Sequence, residues 1–187
     1  MAGNHDVGNI PTPESLAAYR RDIGSDYYDF FYDQCHFIVL NSCICQQPQK
    51  APEEWDKHLR YLKEKLADSR KKVVNHTMLF MHHPLFLKDP DEEDQYFVIP
   101  KVRRKVILNL LKEYEVSAVF AGHWHRNSLG RDGKLQMITT GPVGKPLGKD
   151  GSGFRIVKVF PDRVEHQYYP FGSLPSKVEL KRVVNGN

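Results

Sequence analysis

Three short segments of the chain carry side chains that are able to bind metal ions. Residues 3–6 read Gly-Asn-His-Asp, residues 82–84 read His-His-Pro, and residues 122–125 read Gly-His-Trp-His. Imidazole nitrogens and amide oxygens are suitable ligands for divalent ions such as manganese, iron and zinc. Each segment forms a tight turn, and the second and third follow apolar stretches. The pattern therefore predicts ligands gathered at the carboxyl edge of a sheet.

The first segment combines a metal ligand with an acid–base pair. Asn4 offers a neutral amide oxygen that suits a divalent ion. His5 points away from the same ion because adjacent side chains diverge, so we expect it to face the substrate. Asp6 is placed to hydrogen-bond a ring nitrogen of His5 and raise its basicity. A cationic histidine beside a phosphate ester can protonate the leaving oxygen, which contributes roughly 10²–10⁴ in rate.

The other two segments supply imidazoles at the ends of predicted strands. His82 follows an apolar strand, and Pro84 stiffens the chain that leaves it. His123 and His125 are separated by one residue, so their side chains diverge enough to serve two neighbouring metals. A single histidine of this kind is more often an ordinary surface or core residue. The coincidence of three clusters favours a metal centre.

In this order, the three segments resemble those of the calcineurin-like metallophosphoesterases. Residues 84–87, 119–127 and 164–169 extend the resemblance over nearly the whole chain. The resemblance implies two divalent ions about 3.5–4 Å apart that activate a water for attack on phosphorus. It also implies that Asn4, His82 and His123 bind one metal and that His125 binds the other. Asn4 and His5 would contact the substrate, and His5 together with Asp6 would act as the acid. His83 would shape the pocket.

The implied activity is metal-dependent hydrolysis of phosphoesters, similar to that of a protein serine/threonine phosphatase with phosphoprotein substrates. Manganese, iron and zinc all suit the mixed nitrogen and oxygen donors. The ligand set does not separate monoesters from phosphodiesters, so a phosphodiesterase stays an alternative. A non-catalytic chain that acts by binding a partner is another. We expect loops 89–96 and 141–153 to set the choice of substrate.

The chain departs from the family pattern at its start. Members carry an Asp-x-His and a Gly-Asp-x-x-Asp before the Asn-His-Asp turn, whereas only Met1 and Ala2 precede Gly3 here. Two dications about 4 Å apart repel by about 16 kcal/mol at an effective dielectric of about 20, and neutral ligands do not offset this. We therefore expect at most one weakly bound metal and little phosphatase activity from an alternative-start or partial product of a longer gene.

Composition indicates one ordinary globular domain. The chain has 187 residues, 40% of them apolar and 27% charged, with a formal charge of +4. The basic cluster at residues 103–105 favours a solvated helix face over a nucleic-acid site. There is no apolar run of about 18 residues and no signal pattern, which argues against a membrane partner. Cys35, Cys43 and Cys45 indicate reduced thiols and a cytoplasmic protein. The sequence leaves the oligomeric state open.

Hydrophobic periodicity supplies the elements that position the site. It predicts helices at 12–21, 52–69 and 101–114. The residues expected on the inner face are Trp55, Leu59, Leu62 and Leu66 in the second helix and Val102, Val106, Leu110 and Leu111 in the third. Strands are predicted at 27–33, 36–40, 73–81, 116–121, 135–139, 154–160 and 164–168. We expect an α/β fold of the four-layer α+β type. In it, two mixed β-sheets pack as a sandwich flanked by helices, as in metallo-dependent phosphatases, with the N-terminal strands missing. Residues 1–172 form the C-terminal portion of the domain, and 173–187 a polar tail.

Overall fold

Parallel strands and their crossover helices dominate the architecture. The computed structural model of the chain describes residues 1–180. Its elements, in chain order, are α1 (Asn4–Val7), α2 (Pro13–Asp22), β1 (Tyr28–Tyr32), β2 (Cys35–Val39), α3 (Ser42–Gln46), α4 (Pro52–Lys72), β3 (His76–Phe80), α5 (Lys101–Glu113), β4 (Ala118–Ala121), β5 (Ser128–Asp132), β6 (Leu135–Thr139), β7 (Gly153–Val159), β8 (Val164–Pro170) and a 3₁₀ turn (Phe171–Ser173).

The strands form two sheets. The larger has the order β1-β2-β3-β4-β6-β5, in which β2, β3, β4 and β6 run parallel and the two edge strands run antiparallel. The smaller sheet is the antiparallel pair β7–β8. The predicted fold class, two sheets flanked by helices, is confirmed. Because β3 and β4 are parallel neighbours, the residues that follow each of them emerge at the same edge of the sheet.

Helices α4 and α5 cover one face of the large sheet. Leu62 and Leu66 of α4 are buried in a core that also contains Leu79 of β3 and Val119 of β4. The small sheet packs on the opposite face, where Val164 joins a second cluster with residues of β3, β4 and β6. Burial of this kind, about 25 cal/mol per Å² of apolar surface, fixes the sheet and hence the strand ends that carry the site.

The predicted inner face of α5 is half correct. Leu111 is buried in the core and Leu110 packs against it. Val102 and Val106 are instead 70% and 41% exposed, and Ile107 enters the core in their place. Arg104, which the sequence placed on a solvated basic face, is fully buried, and its Nη2 donates to the carbonyl of Glu92 at 2.8 Å. The guanidinium therefore occupies a buried position of α5, whereas Val102 and Val106, which the hydrophobic pattern placed inside, face outward.

Four short elements were not predicted: α1, α3, β5 and the 3₁₀ turn. Of the predicted tail, residues 173–180 are described, and residues 181–187 lie outside the described part of the chain. Over residues 1–180, no helix combines the length and apolar character that a membrane crossing requires. The three cysteines are buried and free.

Candidate metal centre

Three predicted ligands meet at the carboxyl edge of the large sheet. His82 lies two residues beyond β3 and His123 two residues beyond β4, while Asn4 begins α1. The Oδ1 atom of Asn4 lies 2.8 Å from Nε2 of His82. The same Nε2 lies 3.0 Å from Nδ1 of His123. Three side chains from distant parts of the chain, Asn4, His82 and His123, therefore come together, and they are the three that the family resemblance assigns to one metal.

A third imidazole, that of His83, belongs to the same cluster. One ring nitrogen from each of His82, His83 and His123 lies within 4.8 Å of the other two. Ser42 of α3 holds His83: its Oγ accepts the backbone N–H of His83 at 2.7 Å and lies 3.0 Å from Nδ1. The sequence analysis treated His83 as a neighbour that shapes the pocket. Its position directly after His82 was the available signal, whereas nothing in the sequence pointed to Ser42.

The electrostatic environment keeps these imidazoles in their neutral form. Burial, reinforced by the neighbouring histidines, lowers the pKa of His82 and of His123 to about 4 each. The same causes lower the pKa of His83 to about 2. In addition, Nε2 of His123 is buried without a hydrogen-bond partner. Since a metal ligand must be the neutral imidazole, the residues present fit a divalent ion at neutral pH.

His125 lies beside this cluster but outside it. It lines an open cleft of about 420 Å³ together with His82 and His123. Its Nδ1 lies 2.7 Å from the carbonyl oxygen of Lys145. A carbonyl only accepts, so Nδ1 carries a proton, and in the neutral imidazole Nε2 has the lone pair. Histidines that bind metals commonly donate a hydrogen bond from their other ring nitrogen to a backbone carbonyl.

The turn that carries these two histidines is strained. His123 and His125 have φ angles of +60° and +55°, in the left-handed region. That conformation costs a residue with a side chain about 1–2 kcal/mol. Such strain persists only where the surrounding structure enforces it, and it concentrates at functional sites.

His5 and Asp6 do not form the predicted pair. Both are exposed on α1. Oδ2 of Asp6 accepts the backbone N–H of Gly3 at 2.8 Å, which satisfies a free donor at the start of the helix. Among the described residues, no hydrogen bond joins the side chains of His5 and Asp6. The capping position, three residues after Gly3, determines where the carboxylate points.

Two aromatic rings cover the cluster from the loop that precedes α5. The ring centroids of Tyr96 and Phe97 lie 5.1 and 5.7 Å from that of His123. Gln46 fixes this loop because its Nε2 donates to the carbonyls of Tyr96 and Val98 at 3.1 and 3.0 Å. The sequence-based prediction for substrate choice covered residues 89–96, which include Tyr96 but not Phe97, and gave no role to Gln46.

Comparison with known families agrees with this geometry. The model of the calcineurin-like phosphoesterase family matches residues 1–127, which is more than half of the chain. The chain belongs to the calcineurin-like phosphoesterase family. All three converging ligands, Asn4, His82 and His123, lie inside the matched region, as does His125.

Curated relatives are identical to the chain at more than a third of the aligned positions. The chain is 37% identical over 177 residues to serine/threonine-protein phosphatase CPPED1 of Bos taurus. This alignment covers 95% of the chain and 56% of the Bos taurus protein. The protein of the same name from Homo sapiens is 36% identical over 178 residues, covering 95% and 57%. The chain thus spans somewhat more than half the length of the curated relatives it matches.

Solved structures confirm the fold. A dimetal phosphatase from Danio rerio aligns with a TM-score of 0.59 at 16% identity, covering 82% of this chain and 64% of that one. The purple acid phosphatase PPD1 from yellow lupin aligns with a TM-score of 0.51 at 14% identity, covering 83% and 36%. At these identities, the likeness concerns the fold.

Proposed function

We propose that this chain carries the metal-binding part of a hydrolase that removes phosphate from phosphoproteins. One observation supports this above the others: Asn4 Oδ1, His82 Nε2 and His123 Nδ1 form a chain of contacts of 2.8 and 3.0 Å. Membership of the calcineurin-like phosphoesterase family and relatives named as serine/threonine-protein phosphatases supply the substrate class. Residues 1–172 would be the domain portion, with 173–187 appended to it.

Each residue of the site has a part in this proposal. A divalent ion held by Asn4, His82 and His123 would supply Lewis-acid chemistry toward the phosphoester. His125 would present its free Nε2 from the other side of the cleft. Exposed His5 would stand at the substrate side and hold the proton that the leaving oxygen takes up. Asp6 would act by fixing the turn that presents Asn4 and His5.

We propose further that the described site holds a single ion. Its converging donors are an amide and imidazoles, all neutral, so nothing among them offsets the repulsion of about 16 kcal/mol between two dications about 4 Å apart. Catalysis by this site alone would then be weak. Manganese, iron and zinc all suit the donors. Three free, buried cysteines are in keeping with a reducing compartment such as the cytoplasm.

Metal titration followed by a phosphatase assay tests the proposal. Isothermal titration of the metal-free chain with Mn²⁺ and with Zn²⁺ should show one site, and H82A/H123A should abolish it. H58L is the matched control, because His58 is a buried histidine packed against Tyr27 and Tyr61, outside the cluster. Phosphate release from a phosphoserine peptide should be slow, metal-dependent and absent in H82A/H123A. Two tight sites would contradict the single ion, and no binding would contradict the proposal.

A further inference from the structure

The strained turn at residues 123–127 is held by the loop that follows β6. Besides the bond from His125 to Lys145, the backbone N–H of Leu147 donates to the carbonyl of His125 at 3.0 Å. Nε of Arg126 donates to the carbonyl of Leu147 at 3.2 Å. The turn and the loop thus bind each other through three successive contacts. The orientation of His125 therefore depends on where residues 140–150 lie.

Asn127 attaches both ends of this loop to the turn. Its Oδ1 accepts the backbone N–H of Gly141 at 3.1 Å. Its backbone N–H and its Nδ2 both donate to Oδ2 of Asp150, at 3.2 and 3.0 Å. Gly141 leaves little room for rearrangement, because a Cβ there would come within 3.2 Å of the Tyr168 hydroxyl and 3.3 Å of Asn127 Nδ2.

Arg155 on β7 connects the small sheet to both the turn at residues 123–127 and the loop that follows β6. Its Nη2 donates to Oδ1 of Asn127 at 2.9 Å, and its Nε donates to Oγ1 of Thr140 at 3.0 Å. Its Nη1 lies 2.9 Å from Nδ1 of His166. A guanidinium only donates, so Nδ1 of His166 is the acceptor, and the imidazole proton lies on Nε2, 3.3 Å from Oε1 of Gln136.

We propose that Arg155 is a positioning residue for the metal centre. Through Asn127 it fixes the turn of His123 and His125, and through Thr140 it fixes the start of the loop whose Lys145 carbonyl orients His125. This inference rests on the proposed function, because it gives Arg155 a purpose only if His125 and His123 serve a metal. The partly buried guanidinium has a pKa lowered by burial and stays charged at neutral pH.

The planar fork of arginine is what the position requires. Its three nitrogens donate to three acceptors in different segments of the chain: Asn127 Oδ1, Thr140 Oγ1 and His166 Nδ1. A lysine ammonium at the end of a flexible stem cannot reproduce that geometry. R155K keeps the charge and most of the stem, so it separates the fork from the charge. R163A is the matched control: Arg163 lies on the turn of the same small sheet and pairs with Asp162 and Glu165.

Two measurements on the whole chain test the proposal. In the metal-free protein, imidazole ¹⁵N shifts of His125 should report the Nδ1–H form in wild type and R163A, and an averaged mixture of both tautomers in R155A and R155K. Titration with Mn²⁺ should show about 10- to 100-fold weaker binding in R155A and R155K, the range usual for residues that orient a metal ligand. Thermal unfolding of each variant is measured alongside.

The outcomes separate the possible failures. A folded R155K with the wild-type His125 tautomer and Mn²⁺ affinity overturns the proposal, even if R155A does not fold. Loss of affinity in R163A equal to that in R155K also overturns it, because any change in the small sheet would then suffice. If wild type binds no Mn²⁺, the proposed function fails, and the tautomer measurement alone decides whether Arg155 orients His125.

Discussion

One methyl group added at Gly3 should weaken metal binding. A Cβ built on Gly3 would lie 3.0 Å from Nδ1, 3.1 Å from Cε1 and 3.3 Å from Cγ of His82. The backbone at this position has φ −116° and ψ 173°, an extended conformation that alanine adopts freely. G3A therefore acts through contact with the His82 ring and through no backbone strain.

The size of the effect follows from those distances. Ordinary contacts begin near 3.4 Å, so the ring must move by a few tenths of an ångström. Metal–ligand distances tolerate about ±0.2 Å, which is less than this displacement. Overpacking of this kind costs about 1–3 kcal/mol. If that cost falls on the metal-bound state, binding weakens by about 5- to 150-fold.

The assay is isothermal titration of wild type, G3A and G172A with Mn²⁺, with thermal unfolding of the metal-free proteins. G172A is the matched control, because a Cβ at Gly172 meets no atom within 4 Å and the residue lies in the 3₁₀ turn after β8. G3A should bind more weakly than both. Equal affinity for Mn²⁺ in G3A and G172A would refute the reasoning, since it would mean that the position of His82 does not govern the site.

Three further outcomes are expected. Burial lowers the pKa of His58 from 6.5 to about 4. Between pH 6.5 and pH 4, His58 is therefore protonated in the unfolded chain but neutral in the folded chain, so the free energy of unfolding falls as pH falls. Urea unfolding at pH 7 and pH 4 should show about 3 kcal/mol less acid destabilisation in H58L than in wild type. Mn²⁺ at about 100 times its Kd should add about 2.7 kcal/mol of stability, seen as a rise in Tm of about 5–10 °C that H82A/H123A lacks. Inorganic phosphate should tighten Mn²⁺ binding, because its charge compensates the ion; titrations with and without phosphate that give equal affinity would contradict this.

Strand ends were the most predictable part of the molecule. The apolar runs before His82 and Gly122 end where β3 and β4 end, within a residue or two, and parallel pairing of these strands brings His82 and His123 together. A hydrophobic run bounded by a glycine or proline turn is a local signal, so the sequence alone reveals it. The convergence of Asn4, 78 residues before His82, came from the family resemblance rather than from any local pattern.

What failed depended on contacts between different segments of the chain. Arg104 takes an inner position of α5, where its Nη2 donates a hydrogen bond to the carbonyl of Glu92. A hydrophobicity scale that counts arginine as a surface residue does not predict this position. Strand β5 reads Ser-Leu-Gly-Arg-Asp, a poor strand sequence. Its Gly130 lies against the ring of Phe86, where a Cβ would come within 2.6 Å of the ring, so packing between distant segments determines the residue there.

The charge of the site links these observations to its chemistry. Burial makes His82, His83 and His123 poor bases, so protons compete weakly with a metal at neutral pH. The same burial removes water that would otherwise screen a dication, and the neutral donors leave its charge uncompensated. A phosphate dianion is the chemical species that would supply the missing negative charge. By thermodynamic linkage, a site built this way binds ion and phosphate with mutual assistance, each raising the affinity for the other by the same factor. Neutral, buried ligands beside an open cleft would therefore favour an anionic substrate and a metal bound together over a metal held permanently.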